Sequence, residues 1–125
     1  MCFYALVQYE PDPDRQEGVN VGIVGVDAEG HADILYLPKD ERPVEGLEGA
    51  LRSARARLIR DFDHLREHWE KTGAARTEAI PQELRHWFGC ESGALVYREI
   101  RSYHPEYNSL KDLYEKLVRR TNSVA

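Results

Sequence analysis

Seven apolar residues, Leu47, Leu51, Ala54, Leu58, Phe62, Leu65 and Trp69, recur at steps of four, three, four, four, three and four. That rhythm places all seven on one stripe of a 3.6-residue helix, so the segment must lie with this stripe against another apolar surface. Each large side chain buried there contributes on the order of 1.5–3 kcal/mol. Thr72-Gly73 ends the helix, and the charged, proline-bearing run from Pro38 to Gly46 predicts an exposed loop before it. With 125 residues, the chain suits one domain, 1–125, whose single core needs no metal or disulfide.

The partner surface is predicted by the flanking runs. Phe3 to Tyr9 is aromatic and β-branched and stops at Pro11, which predicts a strand at a central position. Val19 to Val26 predicts a second strand, joined as a hairpin through the polar turn Asp27-Ala28-Glu29-Gly30 to a third over Ala32 to Leu37. Strict alternation puts Val19, Val21 and Ile23 on one face and Asn20, Gly22, Val24 and Val26 on the other. Gly22 there leaves a gap for a side chain, a backbone or a ligand. Gly73 to Ala79 reads as a linker, after which Pro81, at a first helical position, opens a short helix through Trp87 that Gly89 closes. Cys90-Glu91-Ser92-Gly93 then reads as a turn. Ala94 to Ile100 predicts a fourth strand, with Leu95 and Tyr97 opposed to Val96 and Ile100, ending before Tyr103-His104-Pro105. Ser109 caps a last helix that carries Leu110, Leu113, Tyr114, Leu117 and Val118, with Asp112 in its first turn and Arg119 and Arg120 in its last. This order predicts an α+β fold: a two-layer sandwich in which a mostly antiparallel sheet of about four strands packs against one long and one or two shorter helices.

Seventeen Lys and Arg against 22 Asp and Glu give a net charge of −5, without the basic field of a general nucleic-acid binder. The richest basic segment, Arg52, Arg55, Arg57 and Arg60, runs straight into Asp61 and Asp63 and reads as a solvated helix surface. No apolar run reaches the length of a membrane span, and the start M-C-F-Y-A-L-V-Q-Y-E has neither a basic region nor a cleavage site. A cytoplasmic protein is the expectation. Cys2 and Cys90 lack C-x-x-C spacing, which predicts reduced, mainly structural thiols.

Between the first two strands, Pro11, Asp12 and Pro13 force a turn, and Arg15, Glu17 and Asn20 place three hydrogen-bonding side chains within six positions. An Arg is a rigid fork for carboxylate or phosphate, a Glu holds that Arg or a proton, and an Asn amide both donates and accepts. One reading is a recognition site for an anion or a peptide backbone. The other pairs Arg15 with Asp12 or Glu17 and lets Asn20 satisfy backbone groups of the loop. Both are open at this stage.

The string Tyr9-x-Pro11-Asp12-Pro13-x-Arg15-x-Glu17-x-x-Asn20-Val21-Gly22 resembles the signature of a family of small standalone bacterial proteins, the domain of unknown function DUF3037. The resemblance covers roughly the first third of the chain; the remainder matches mainly in helical layout. It implies a bacterial regulatory role with a protein partner, a HipA-like kinase among the candidates. It supplies no catalytic residues.

Other constellations are weaker. Asp61, His64 and His68 are spaced to share a helix face, and two histidines one turn apart can hold a metal, but the H-E-x-x-H pattern is missing and a structural face is favoured. His31, His86 and His104 have no fixed place relative to them. Cys90 with scattered histidines carries no thiol-enzyme signature. Tyr97, Tyr103 and Tyr107 with Arg98 and Arg101 form an aromatic and basic group that suits base stacking or a protein interface, and the acidic total favours protein. Gly22 and Gly25 precede no helix and make no phosphate loop. The leading expectation is therefore a protein-interaction module without a cofactor, with Asp12, Arg15, Glu17, Asn20, Gly22, Tyr97, Arg98 and Tyr103 as candidate binding residues. Homodimerisation through an edge strand or the last helix is open. The alternative is an enzyme or binding domain for an anionic or nucleotide-like molecule, with Arg15 as clamp, Glu17 as acid/base and Asn20 as orienter.

Overall fold

A computed structural model describes residues 1–10, 18–42, 47–73, 76–90 and 95–120. Three strands open it, β1 (Cys2–Tyr9), β2 (Val19–Val26) and β3 (Ala32–Tyr36), and β2 and β3 form the expected hairpin. The helix α1 spans Leu47–Thr72, and α2 spans Arg76–Cys90. Two short strands follow, β4 (Leu95–Tyr97) and β5 (Arg101–Tyr103). The last helix, α3 (Leu110–Tyr114), continues as a π-helical turn over Glu115–Arg119. Every strand pairing is antiparallel; the order is β3-β2-β1-β4, with β5 also on β1, so the first strand is central.

The helices α1 and α2 cover one face of the sheet. Phe3, Val7, Val24, Val26 and Ile34 pack there with Leu51, Leu58, Phe62, Trp69, Leu84 and Trp87. The α+β sandwich is as the residue order predicts, and the terminal helix adds a short layer on the far face. Tyr4, Leu6, Ile23, Leu35 and Leu37 make that face apolar too, and Leu113, Tyr114 and Val118 cover it. No described helix is long and apolar enough to cross a membrane.

Two bulges correct the predicted faces. Val7 pairs with Gly22 but Gln8 pairs with Asn20, leaving Val21 as an extra residue in β2. An inserted residue resets the alternation, so Val21 joins Val19, Val24 and Val26 in the main core while Ile23 faces α3. At the sheet edge, Val7 pairs with Tyr97 but Tyr4 pairs with Arg101, again one residue too many. Ile100 consequently shares the core face of Leu95 and Tyr97, and the strand resumes beyond the predicted end.

The second helix also departs from expectation. It starts at Arg76, so Pro81 lies inside it. A proline there forfeits one backbone hydrogen bond, and burial of Ile80 and Leu84, neither exposed at all, offsets that loss. The helix runs through Gly89 to Cys90, which is therefore helical and not in a turn.

The hairpin turn is held by Asp27 Oδ1, which accepts from the Glu29 and His31 N–H groups at 2.9 Å each. Gly30 sits at φ +95°, where a Cβ would meet the Trp69 ring at 2.9 Å, so only glycine fits.

Ser109 begins α3 with a capping box. Its Oγ accepts from the Asp112 N–H at 3.1 Å, and Asp112 Oδ2 accepts from the Ser109 N–H at 3.0 Å. These bonds, the backbone one foremost, hold the Asp112 carboxyl below its ordinary value of 3.8. A carboxyl depressed by folding adds stability above its unfolded pKa and loses it as pH falls through the lower folded value. Denaturant melts of wild type and Asp112→Asn should differ at neutral pH and converge as pH drops below 4; a constant gap would disprove the linkage.

Candidate functional site

Strand alternation sends Tyr4, Leu6 and Gln8 to the α3 side of the sheet. Their cross-strand neighbours Val96 and Arg101 project to the same side, as does Arg98, whose N–H donates to Leu6 O at 2.9 Å. Helix α3 covers only the β2–β3 part of this face, which leaves a groove of about 430 Å3 lined by Tyr4, Leu6, Arg98, Glu99, Arg101 and Leu117.

A polar chain closes one end of the groove. Arg98 Nε donates to Gln8 Oε1 at 2.5 Å and Arg98 Nη2 to Glu10 Oε1 at 2.6 Å. Gln8 Nε2 donates to Asn20 Oδ1 at 2.7 Å, and Asn20 Nδ2 donates to the Leu117 carbonyl at 3.0 Å. Leu117 O is among the last carbonyls of the described helix, the groups a helix leaves without internal donors. Asn20 thus acts as a side-chain cap that ties the start of β2 to the terminal helix. Gly18 makes room for this chain, since a Cβ there would stand 2.6 Å from Gln8 Oε1. Further bonds fasten the helix: Tyr114 Oη donates to Tyr36 O at 3.2 Å, and Arg119 reaches Glu41 and Glu115 at 3.1 Å each.

The sequence candidates separate. Asp12, Arg15 and Glu17 lie outside the described residues. Glu10 and Gly18, the described residues on either side of 11–17, both border the Arg98 chain. Gly22 lies against the backbone of β3, with its Cβ position 2.8 Å from Leu35 O, so the gap is taken by protein. The tyrosines do not cluster. Tyr97 is on the α1–α2 face, stacked on Phe88 at 4.8 Å and edge-on to Trp87 at 5.2 Å. Tyr103 is on the opposite face, edge-on to Tyr4 at 5.9 Å, and Tyr107 is exposed beside His104. Burial first, then the neighbouring Cys2 and Asp27, pushes the Tyr103 hydroxyl up to about 12, so it stays a neutral donor at physiological pH. Of the predicted set, Arg98 and Asn20 belong to one network. Gln8, Glu10 and Leu117 were missed, although Gln8 is the polar interruption of an otherwise apolar strand.

The basic run of α1 is a solvated, paired surface. Arg52 bonds Glu48 at 3.0 Å, Arg55 bonds Asp33 at 2.6 Å and Arg60 bonds Asp61 at 3.4 Å. The Asp33 hydrogen bond, then its charge, raises the Arg55 pKa.

A second concavity, about 380 Å3, lies between α1 and α2 and is lined by Asp61, Phe62, His64, Leu65, Glu83, His86, Trp87 and Cys90. His68, one turn beyond His64, is exposed and outside that lining. Among the described residues, no three of His, Cys, Asp and Glu are grouped closely enough to hold a metal ion as they stand.

Compared with family models, with curated proteins and with solved structures, the chain finds no match.

Proposed function

We propose that this protein is an interaction or regulatory module that takes an extended, carboxylate-bearing segment of a partner protein into the groove beside β4 and β5. One observation carries the reading. An apolar floor of Tyr4, Leu6 and Leu117 is bordered by the guanidinium groups of Arg98 and Arg101 at an edge of the sheet. Tyr and Arg are enriched where proteins meet, and an edge strand offers backbone groups to an added strand. Arg98 is anchored by Gln8 and Glu10, whereas among the described residues Arg101 meets only Glu99, at 3.8 Å with both side chains largely exposed. Such a surface pair contributes little, so a partner carboxylate displaces Glu99 at small cost. A bacterial cytoplasmic setting and a HipA-like kinase as partner belong to the same proposal, on the strength of the resemblance at residues 9–22.

Immobilised wild-type protein should retain one specific protein from host lysate. Arg101→Glu should lose it, while Arg52→Glu, a charge reversal at an exposed position on α1, should keep it. Retention by Arg101→Glu overturns the groove as the docking surface. A wild-type bait that retains nothing overturns the module reading in favour of a small anionic ligand, and co-purification with a co-expressed HipA-like kinase tests the named partner.

A further inference from the structure

The two edges of the sheet are built differently. At the β3 edge, Leu37 N–H donates to Val21 O and His31 O accepts from the Asp27 N–H, so Asp33 and Leu35 bond towards β2 while Ile34 and Tyr36 turn their backbone groups outwards. Side chains occupy that edge. Asp33 Oδ1 accepts from the Ile34 N–H at 2.8 Å and from Arg55 at 2.6 Å, and Tyr114 Oη donates to Tyr36 O. A charged side chain held there discourages strand addition. At the other edge, Arg98, Arg101 and Tyr103 bond towards β1, which leaves the Ser102 N–H and C=O pointing outwards with no side chain closing on them among the described residues. The segment just beyond, His104 to Tyr107, carries Glu106, held to His104 only by an exposed pair at 3.7 Å, and Tyr107, which is 79% exposed. It offers a carboxylate and an aromatic ring, the chemistry that the neighbouring groove is lined to take.

We propose that the groove is filled by a second copy of this chain in a two-fold dimer, in which β5 pairs antiparallel with β5 of the other copy about Ser102. The inference rests on the reading of the groove as a docking surface and names an occupant for it. Ser102 exchanges both backbone hydrogen bonds with its counterpart, and Arg101 lies opposite Tyr103 of the second copy on the α3 face, within reach of a cation–π contact. Counting outwards from that pair sets Glu106 of one copy level with Arg98 of the other. The carboxylate then meets the guanidinium border of the groove, and Tyr107 covers its apolar floor of Tyr4, Leu6 and Leu117. Each copy gives the segment and receives it, as a two-fold contact requires. Leaving His104 costs Glu106 little, because an exposed pair of that length is weak. Self-association and docking of another protein exclude each other, so a partner engages the groove only by splitting the dimer.

Sedimentation velocity of the wild-type chain over a concentration series, under reducing conditions that exclude a disulfide through the exposed Cys90, should show the mass rise from one chain to two and no further. Ser102→Pro removes the outward N–H without touching the bonds to β1, a place where an edge strand accepts proline, and should abolish the rise. Tyr107→Ala and Glu106→Arg, both at exposed positions, should each raise the dissociation constant by about tenfold or more. Arg52→Glu, on α1, should leave it unchanged. Circular dichroism verifies that each variant is folded. A wild type that stays monomeric into the millimolar range overturns the dimer. A dimer that either Ser102→Pro or Tyr107→Ala leaves unchanged overturns this interface, and growth beyond two chains overturns its closed symmetry. A monomeric result leaves capture of another protein by the groove standing, and a failed capture leaves the dimer standing, so the two readings fail separately.

Discussion

Phe62→Ala should cost about 3–5 kcal/mol, the range for deleting a buried aromatic ring. Phe62 is the largest of the fully buried side chains, and its ring meets Trp69 edge-on at 6.4 Å. It occupies the middle of the α1 stripe and also floors the α1–α2 cleft, so neither helix can close over the void without leaving the sheet. Domains of this size have about 5–15 kcal/mol in total. Urea denaturation should show the midpoint falling by a large fraction with the slope unchanged, and Phe62→Leu should recover much of the loss. A loss under about 1 kcal/mol would mean that the stripe packs loosely and that the core does not depend on this ring.

Gly22→Ala should destabilise by about 1–3 kcal/mol, although it adds a single methyl group. The new Cβ would stand 2.8 Å from the Leu35 carbonyl oxygen and 3.3 Å from Tyr36 Cβ. The first contact is with backbone inside a paired ladder, so relief requires β3 to move away from β2 at the bulge. Gly49 supplies the contrast. It lies exposed in α1 with nothing near its Cβ position, and Gly49→Ala should stabilise by about 0.5–1 kcal/mol. Amide exchange should quicken along β2 and β3 in the first variant and not in the second. Equal stability of Gly22→Ala and wild type would show that β3 yields freely.

What the sequence made legible follows from the range of the forces involved. The α1 stripe and the β2–β3 hairpin depend on periodicity and on turn residues close in the chain, and their limits matched the structure to within a residue or two. Ser109 and Asp112 announce a cap because their interaction spans three residues. The faces of β2 did not follow from alternation, because the bulge at Val21 is set by pairing with β1 and leaves no mark in V-N-V-G-I-V-G. Pro81 obscured the start of α2, where burial of Ile80 outweighs local preference. Ending that helix early hid the His86–Cys90 pair, although H-W-F-G-C has the i, i+4 spacing in plain view. Asn20 was read either as a recognition residue or as a staple for the backbone of its own loop, and its partners in the structure include Gln8 on the neighbouring strand and the Leu117 carbonyl, 97 residues away. No local signal encodes that contact.

The central place of β1 has a consequence for how the protein is made. Its partner on one side is the nearby β2, but on the other side Gln8 waits for Arg98 across 90 residues of chain. At ribosomal speeds of about 5–20 residues per second, that interval lasts roughly 5–20 s. Through it, β1 presents an unpaired strand edge, and for the first part of it, until α1 and α2 have been made, the apolar side chains of Phe3, Val7 and Ile34 are uncovered as well. Such an edge templates pairing with neighbouring chains. The yield of folded protein in a cell should therefore fall when chaperone supply is cut or translation is slowed, even where the stability of the finished domain is unchanged.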